Sequence, residues 1–474
     1  MDAFLQIAFF KLLKLYPPGP LPARFVPLTP DVMPEMPFFL RLHWLLLLLA
    51  VTLTGCPALL EISTGEGAYG GGAFRYEDRV YPTNIRSASL YQFPVEESYP
   101  VLYLGQGQQL TLEFDELLPQ EQRENDFFVD IISCTADWRP SGMVPVEFYE
   151  GFPNQRIADF QRSALHTKIP YVHYWYSFPR ENEGFKRSGN YLLKVYRNND
   201  PSDVVITRRF VVVEQKVNVQ LLYEVGELVR QEMLNFSFRL QTQNLPTFNP
   251  VQDLQVVVLQ NFNWRDALRL GSPRFQTDQE LEYQVLINQD FPGGQEFRRH
   301  EVETTRMISQ SVQDLEERED IWEVYLYPDE PIGINNFGPQ MDRNGSFIPR
   351  VMEFSEADYE ADYLRNFFFL ETSGPRPTGE DVYLYGELTD WQLLPEFRLD
   401  WSDTYRRYQT EVLLKQGIYD YQYVVADSNG LINPTPLEGL RRATENFYSV
   451  LVYYLRPGDR AARIVGFQAV NYRD

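Results

Sequence analysis

The sequence contains few of the residues from which metal and redox sites are usually built. It has two cysteines and four histidines among 474 residues, and His43 lies in an apolar run near the amino end. The other three, His166, His173 and His300, show no cluster of ligand spacing for a transition metal. This scarcity disfavours a zinc or haem enzyme, and we predict no metal site and no cofactor.

Positive charge is also in short supply. The chain has 43 Lys and Arg against 66 Asp and Glu, which gives a formal net charge of −23. A chain this acidic repels phosphate backbones, and no local basic patch offsets the average. We therefore expect no nucleic-acid partner.

Apolar and aromatic residues, by contrast, are abundant. Hydrophobic residues make up 44% of the chain and aromatic residues 15%, which is too much for a chain that is disordered throughout. At roughly 100 to 200 residues per domain, the length predicts about three domains, each large enough to bury its own core.

One long apolar run, Phe38 to Leu53, precedes a cysteine near the amino end. The run and the residues after it resemble a lipoprotein signal, in which Thr54 and Gly55 admit the signal peptidase and the Cys56 thiol receives a diacylglyceryl group. A transmembrane anchor and an ordinary cleaved signal are the alternatives. Pro57 stands where an aspartate often means retention in the inner membrane, so we expect a lipid anchor in the outer membrane that faces the periplasm.

The segments around this signal are predicted to lie outside the folded domains. Residues 1–35 fit neither a charged leader nor a domain, and we expect them to be a non-native upstream extension. Residues 36–55 are predicted to be the signal peptide. Residues 56–89 are predicted to be a flexible tether, because they contain a glycine-rich stretch.

From Leu90 onward the apolar residues recur with a period of two, which is typical of half-buried strands. The segment from Leu110 to Asp115 is a clear case, since apolar and polar residues alternate along it. Turn residues separate the strands, and no helix-rich catalytic scaffold is evident. We predict an all-β fold of three antiparallel β-sandwich domains in series, Ig-like or E-set, at residues 90–215, 216–345 and 346–474.

Some local features of this fold can also be predicted. Gly417, between two apolar strands, is expected to supply the positive φ of a hairpin turn. The charged stretch from Gln295 to Asp320 is weakly predicted to contain a short helix. Arg208 and Arg209 are expected to pair with carboxylates such as Asp137 or Glu150, and Trp138 to pack in the first core.

We find no catalytic set in the sequence. Cys134 follows two isoleucines, and a cysteine in that position is more typical of a core than of a nucleophile. Paired carboxylates are frequent in a chain with 66 acidic residues, and the sequence does not give the separation that a glycosidase requires. The protein is therefore not predicted to be an enzyme.

A sugar-binding surface is an alternative function. Trp391 and Trp401, with the tyrosines around them, offer aromatic rings that could stack on a glycan. The order of strands and turns from Val382 to Val425 resembles the glycogen-binding E-set modules of starch-active enzymes. Alternating tyrosines also suit a half-buried sheet without any ligand.

Several short segments together resemble a known family, the plug proteins of the type IX secretion system of Bacteroidetes-type bacteria. Those that resemble its first domain are Leu110–Leu117, Cys134–Trp138, Tyr149–Phe152, Ser188–Leu193 and Thr207–Phe210. Those that resemble the rest of the family are Ala361–Tyr363, Val382–Gly386, Thr444–Asn446, Val452–Tyr454 and Gly458–Arg460. The resemblance extends over residues 90–474.

The resemblance implies a non-catalytic periplasmic protein that occludes the periplasmic opening of the large outer-membrane translocon barrel. The implied partners are that barrel and, through the lipid anchor, the outer membrane. A pore wide enough for folded cargo would leak when idle, so a rigid stopper is physically reasonable. The family's barrel-contacting residues form no short motif, and none can be assigned to this sequence.

Overall fold

The computed structural model describes residues 74–118, 124–157, 161–222, 235–242, 245, 249–286, 290–291, 296–332, 342–439, 446–456 and 458–472. The predicted upstream extension, the signal peptide and Cys56 lie outside these residues. Among the described residues, no helix is both long enough and apolar enough to span a membrane.

The regular structure of the described chain is mainly β-strand with few helices, as predicted. Its amino-terminal part forms β1 (Arg79–Val80), β2 (Ile85–Gln92), β3 (Val101–Tyr103), β4 (Leu110–Leu117), β5 (Phe127–Cys134), β6 (Tyr149–Glu150), β7 (Gln155–Arg156), β8 (Gln161–Ser163), β9 (Tyr171–Phe178), β10 (Gly184–Phe185), β11 (Gly189–Arg197) and β12 (Val204–Val213). The next part forms β13 (Asn218–Leu222), β14 (Asn235–Gln241), β15 (Leu254–Gln260), β16 (Leu268–Leu270), β17 (Phe275–Gln276) and β18 (Glu280–Leu286).

The carboxyl-terminal half continues in the same way. It forms β19 (Arg298–Val302), β20 (Val312–Glu317), β21 (Trp322–Leu326), β22 (Phe347–Pro349), β23 (Tyr363–Glu371), β24 (Glu380–Tyr385), β25 (Arg398–Ser402), β26 (Arg407–Lys415), β27 (Gly417–Asp427), β28 (Ile432–Asn433), β29 (Asn446–Tyr454) and β30 (Arg463–Tyr472). Within the described ranges, four helices of four residues each join the strands: α1 (Pro145–Phe148), α2 (Pro250–Asp253), α3 (Ala357–Glu360) and α4 (Thr435–Glu438). Two 3₁₀ turns, Glu387–Thr389 and Pro395–Phe397, lie between β24 and β25.

The first lobe contains β1 to β12. The sheet β2-β4-β9-β8 packs against β5, β11 and β12. Leu110, Leu112 and Phe114 alternate along β4 and are fully buried between the two sheets, because successive strand side chains point to opposite faces.

The second lobe contains β13 to β18 together with the last two strands, β29 and β30. The sheet β13-β14-β18-β17 faces β15, β29 and β30 across one core. In register, Val256 on β15 opposes Val452 on β29. The last two strands therefore complete the second lobe and not the third.

The third lobe contains β19 to β28. Its strands follow the order β19-β27-β24-β25-β26-β23-β21-β20, and they enclose a single core. Strands β19 and β20 occupy the stretch weakly predicted to be helical. That helix prediction is wrong, because Val302 and Val312 are needed as buried strand residues in this core.

The strand pairing departs from three separate sandwiches in series. The chain leaves the second lobe after β18, builds the third lobe, and returns to the second with β29. A parallel contact of β12 with β30 also joins the first two lobes in one sheet. The predicted boundary at 345 falls inside the third lobe, between strands that share its core.

Gly417 has a different role from the one predicted. Strand β26 pairs with β23 and β25, whereas β27 pairs with β24 and β19, so the two flanking strands belong to different halves of the third lobe. A side chain at Gly417 would collide with the backbone of Ile348 on β22. The glycine is needed for this close approach and not for a hairpin turn.

Candidate functional site at the junction of the first and third lobes

The outward face of the first lobe carries charged side chains that the third lobe covers. On β4, Glu113 and Asp115 point away from the core that Leu112 and Phe114 enter. The sequence pattern is that of a solvated strand face, but Asp115 is completely buried and Glu113 is half-buried. The two lobes therefore meet across a polar junction.

Asp115 is at the centre of this junction. Lys415, at the end of β26, donates from Nζ to Oδ2 of Asp115 at 2.7 Å, and the Tyr363 hydroxyl donates to the same oxygen at 2.7 Å. The other oxygen, Oδ1, lies 2.8 Å from Nδ1 of His173 on β9. Burial alone would raise the pKa of Asp115, but the Lys415 ammonium and the His173 contact outweigh it and hold the pKa below its usual value.

Lys415 is itself almost fully buried. Its ammonium also donates to the carbonyl oxygen of Asp358 at 2.6 Å and lies 4.5 Å from the centre of the Tyr171 ring. An ion pair, a hydrogen bond to a backbone carbonyl and a cation–π contact thus compensate the cost of removing the Lys415 ammonium from water. The pair of Lys415 and Asp115 joins residues 300 positions apart.

A second acidic group lies beside this pair. Glu113, His173 and Asp358, the last on α3, can each offer one ligand atom, and these atoms lie within 4.8 Å of one another. The pKa of Glu113 is raised to about 7, mainly by burial and next by the negative charge of Asp358. The Tyr91 hydroxyl donates to Glu113.

The junction continues along β1 and the turns before β25. Arg208 pairs with Asp390 at 2.9 Å, and the backbone N–H of Val80 donates to the same carboxylate at 3.1 Å. Arg86 makes two parallel contacts with Glu396, at 2.9 and 3.0 Å. Paired geometry of this kind fixes orientation as well as adding energy.

The predicted partners of the arginine pair are wrong. Arg208 reaches Asp390 in the third lobe, and Arg209 pairs with Asp78, which precedes β1. The reason is topological: the alternation of β12 points the two side chains to opposite faces. Asp137 instead pairs with Arg269 of the second lobe.

The first lobe also packs against the second through aromatic rings. Trp138 is half-buried and lies edge-on to Trp264 with 4.8 Å between ring centres, so it packs between lobes and not only in the first core. The Tyr453 hydroxyl donates to Asn190 at 2.9 Å. The first lobe is therefore attached to both of the others.

The structure does not bring the two candidate glycan-binding tryptophans together. Trp391 packs edge-on against Phe297 and Tyr385, with ring centres 5.9 and 5.5 Å apart. Trp401, on β25, packs against Tyr408 and borders a shallow cavity of about 450 Å³ that Trp391 does not line. No platform of two tryptophans is formed.

The neighbouring tyrosines and Cys134 are core residues. Tyr421 and Tyr423 are buried, and both hydroxyls donate to Asp329, at 2.8 and 2.9 Å. Cys134 is also buried, and burial raises the pKa of its thiol, which disfavours the thiolate that a nucleophile needs.

Sequence reasoning missed the junction because its members are far apart in the chain. Glu113 and Asp115 lie in a motif that carries the family resemblance, but their alternation with apolar residues reads as solvent exposure. His173 has no second ligand near it in the sequence. Its partners come from β4 and α3, and only the packing of the lobes brings them together.

Comparison with known proteins bears on the first lobe most directly. Residues 85–214 match the family model described as "Type 9 secretion system plug protein 1st domain". This match confirms the resemblance inferred from the motifs between Leu110 and Phe210. No curated protein matches the chain.

Among solved structures, a hypothetical protein from Parabacteroides merdae ATCC 43184 is similar to this chain over the whole of its own length. The TM-score is 0.77 and the identity 28%, over 84% of this chain and 100% of that one. The alpha-2-macroglobulins of E. coli and Salmonella match with TM-scores of 0.18, at 10% and 8% identity, over 83% of this chain and 27% of theirs. These two matches carry no argument about fold or function.

Proposed function

We propose, from the match of residues 85–214 to the first domain of the type 9 secretion system plug proteins, that this chain occludes the periplasmic opening of the system's outer-membrane translocon barrel. The family match is the observation that carries the proposal. In this view the chain acts by shape and surface, and it needs no catalytic group.

The junctions between the lobes support a role as a stopper. A plug must resist deformation across an opening, and separate domains on flexible linkers would do so poorly. Here the first lobe shares a sheet contact with the second and a buried ion pair with the third. Buried charge pairs are costly to separate because each partner would be left uncompensated.

Co-purification with the barrel tests the proposal. The tagged barrel, isolated from cells that lack the cargo-carrier subunits, should retain this chain in about equal amount. In cells that contain carriers, the recovered amount should fall, since a carrier and a plug would compete for an idle opening. Failure of the barrel to retain the chain in carrier-free cells would contradict the proposal.

Permeability gives an independent test. Cells that lack this chain should admit a large antibiotic such as vancomycin, and the full-length gene supplied in trans should restore exclusion. Deletion of the barrel as well should abolish the leak. A leak that persists without the barrel would show that the chain does not act by closing it.

We also propose that Cys56 carries a lipid anchor that holds the chain at the outer membrane. Confinement to the membrane of the barrel would raise the effective concentration of the plug, so that a modest affinity would suffice. Mass spectrometry of the mature amino terminus should find a diacylated cysteine at residue 56. Substitution Cys56→Ser should release the chain into the soluble periplasmic fraction, and an unmodified amino terminus elsewhere would rule the anchor out.

A further inference from the structure

Three side chains with metal-binding chemistry meet at the junction of the first and third lobes. Glu113 on β4 and His173 on β9 come from the first lobe, and Asp358 on α3 comes from the third. Their ligand atoms lie within 4.8 Å of one another. Ligand atoms in a tetrahedral site about 2 Å from the metal are roughly 3 to 4 Å apart, so all three could hold one ion after side-chain shifts of about 1 Å.

The orientation of His173 favours binding through one nitrogen. Nδ1 of His173 lies 2.8 Å from Oδ1 of Asp115, so Nε2 is the ring nitrogen that is left for an ion. A neutral ring with hydrogen on Nδ1 has its lone pair on Nε2. A carboxylate on the far nitrogen is the usual support of a metal-binding histidine.

Nothing in the described part of the chain uses that second nitrogen. His173 is only 5% exposed, and among described residues its sole hydrogen bond is the contact with Asp115. His173, Glu113 and Asp358 all line one small cavity of about 20 Å³. A histidine that lines a polar cavity and has one ring nitrogen without a protein partner is available to a ligand there.

The charge around the cavity also calls for a cation. Glu96, Glu113, Asp115 and Asp358 line it, and Lys415 is the cation that lines it with them. Lys415 is committed to Asp115 and to a backbone carbonyl. Among the described residues, neither Glu113 nor Asp358 forms an ion pair with a lysine or arginine, although the two carboxylates lie close together.

We propose that Glu113, His173 and Asp358 bind a divalent metal ion that clamps the first lobe to the third. The donor set of one imidazole nitrogen and two carboxylates fits Zn²⁺ with a water molecule as fourth ligand. It fits Ca²⁺ and Mg²⁺ poorly, because these ions prefer an all-oxygen shell with more ligands. The site does not depend on the proposed role in secretion.

Metal titration of the full-length chain tests this site. The purified chain is stripped with a chelator and titrated with ZnCl₂ by calorimetry, and the bound metal is then counted by mass spectrometry. We expect one zinc ion per chain and a rise in the melting temperature on binding, with no such response to MgCl₂. Absence of stoichiometric zinc in the wild-type chain would overturn the proposal.

Substitutions separate this site from incidental binding. Glu113→Gln and Asp358→Asn keep the size of each side chain, and each should weaken zinc binding at least tenfold. Glu356→Gln provides a matched control, since Glu356 is exposed and immediately precedes α3. Equal zinc affinity in all three variants would contradict the assignment of these ligands.

A spectroscopic probe covers the case in which a variant folds poorly. Co²⁺ added to the wild-type chain should give the visible absorption of a tetrahedral site, and ZnCl₂ should displace it. An octahedral cobalt spectrum, as in water, would mean that the three side chains do not enclose the ion. Both cobalt results are measured on the wild-type chain, so neither depends on whether a variant folds.

Discussion

At the scale of single residues, the pair of Asp115 and Lys415 should dominate the stability of the junction. Substitution Lys415→Met keeps the length of the side chain but leaves Asp115 buried with its charge uncompensated. Loss of one partner from a buried pair typically costs about 3 to 5 kcal/mol. We expect a drop of that size in the free energy of unfolding, measured by urea denaturation at neutral pH.

An exposed pair provides the comparison for this substitution. Arg398 lies 2.9 Å from Asp400, and their side chains are 46% and 76% exposed. Arg398→Met should therefore cost less than about 1 kcal/mol. The double variant Asp115→Asn with Lys415→Met should recover part of the loss, and a double variant as unstable as the sum of the two single ones would argue against direct coupling.

His300 should make the third lobe sensitive to acid. It is fully buried, its Nε2 lies 2.8 Å from the side-chain oxygen of Asn366, and burial lowers its pKa to about 4. As pH falls from about 6.5 to about 4, the unfolded chain binds a proton that the folded chain does not bind. Stability present above pH 6.5 is thus lost on acidification, by about 3 kcal/mol over the whole window.

Replacement of this histidine should remove that part of the pH dependence. Urea denaturation should show that the free energy of unfolding of His300→Gln is closer to that of the wild-type chain at pH 5 than at pH 7.5. At pH 5 the variant could even be the more stable of the two. His166→Gln is the control, since His166 lies exposed on the surface. A stability difference that is independent of pH would show that His300 is not the group responsible.

At the scale of elements, the passage from β26 to β27 depends on a glycine. The carbonyl oxygen and the backbone of Ile348 on β22 occupy the space where a side chain at Gly417 would project. Gly417→Ala should therefore displace β22 and destabilise the third lobe by about 2 kcal/mol or more. Thermal denaturation of the full chain would measure this loss of stability.

A second glycine tests whether space is the cause. Gly374 has no atom within 4 Å of the position a side chain would take, and it has no positive φ. Gly374→Ala should be neutral or slightly stabilising, because it reduces only the entropy of the unfolded chain. Similar losses in both variants would point to a general intolerance of alanine and not to the contact with Ile348.

The same elements show what the sequence can and cannot reveal. The start of strand β4 and its buried face are predictable, because the alternation from Leu110 to Phe114 depends only on local geometry. The burial of Asp115 on the opposite face is not predictable in that way, since it requires β26 to cross over it. Local pattern gives the strand, and the pairing of distant strands decides whether its polar face meets water.

At the scale of the whole molecule, the return of the chain to the second lobe is the feature that sequence reasoning could not anticipate. Strands β29 and β30 follow the third lobe directly, so their period-two pattern alone assigns them to it. The buried side chains of Val450 and Val452 nevertheless lie in the core of the second lobe. A strand pattern specifies a face to be buried but not the core that buries it.

This topology makes a prediction that separates it from three domains in series. Val450 on β29 and Val382 on β24 are both fully buried, in the second and third cores respectively. Each Val→Ala substitution should cost roughly 2 kcal/mol through lost burial and an unfilled space. Native-state hydrogen exchange then reports which strands lose protection, because proteins open locally in contiguous units.

The observed pairing predicts a distant effect for the carboxyl-terminal substitution. Val450→Ala should lower the protection of amides in β14 and β18, some 165 to 215 residues earlier in the chain, while those in β23 and β27 keep theirs. Val382→Ala should do the reverse. If residues 346–474 formed a domain of their own, either substitution would lower the protection of amides in β23 and β27. That result would refute the return of the chain to the second lobe.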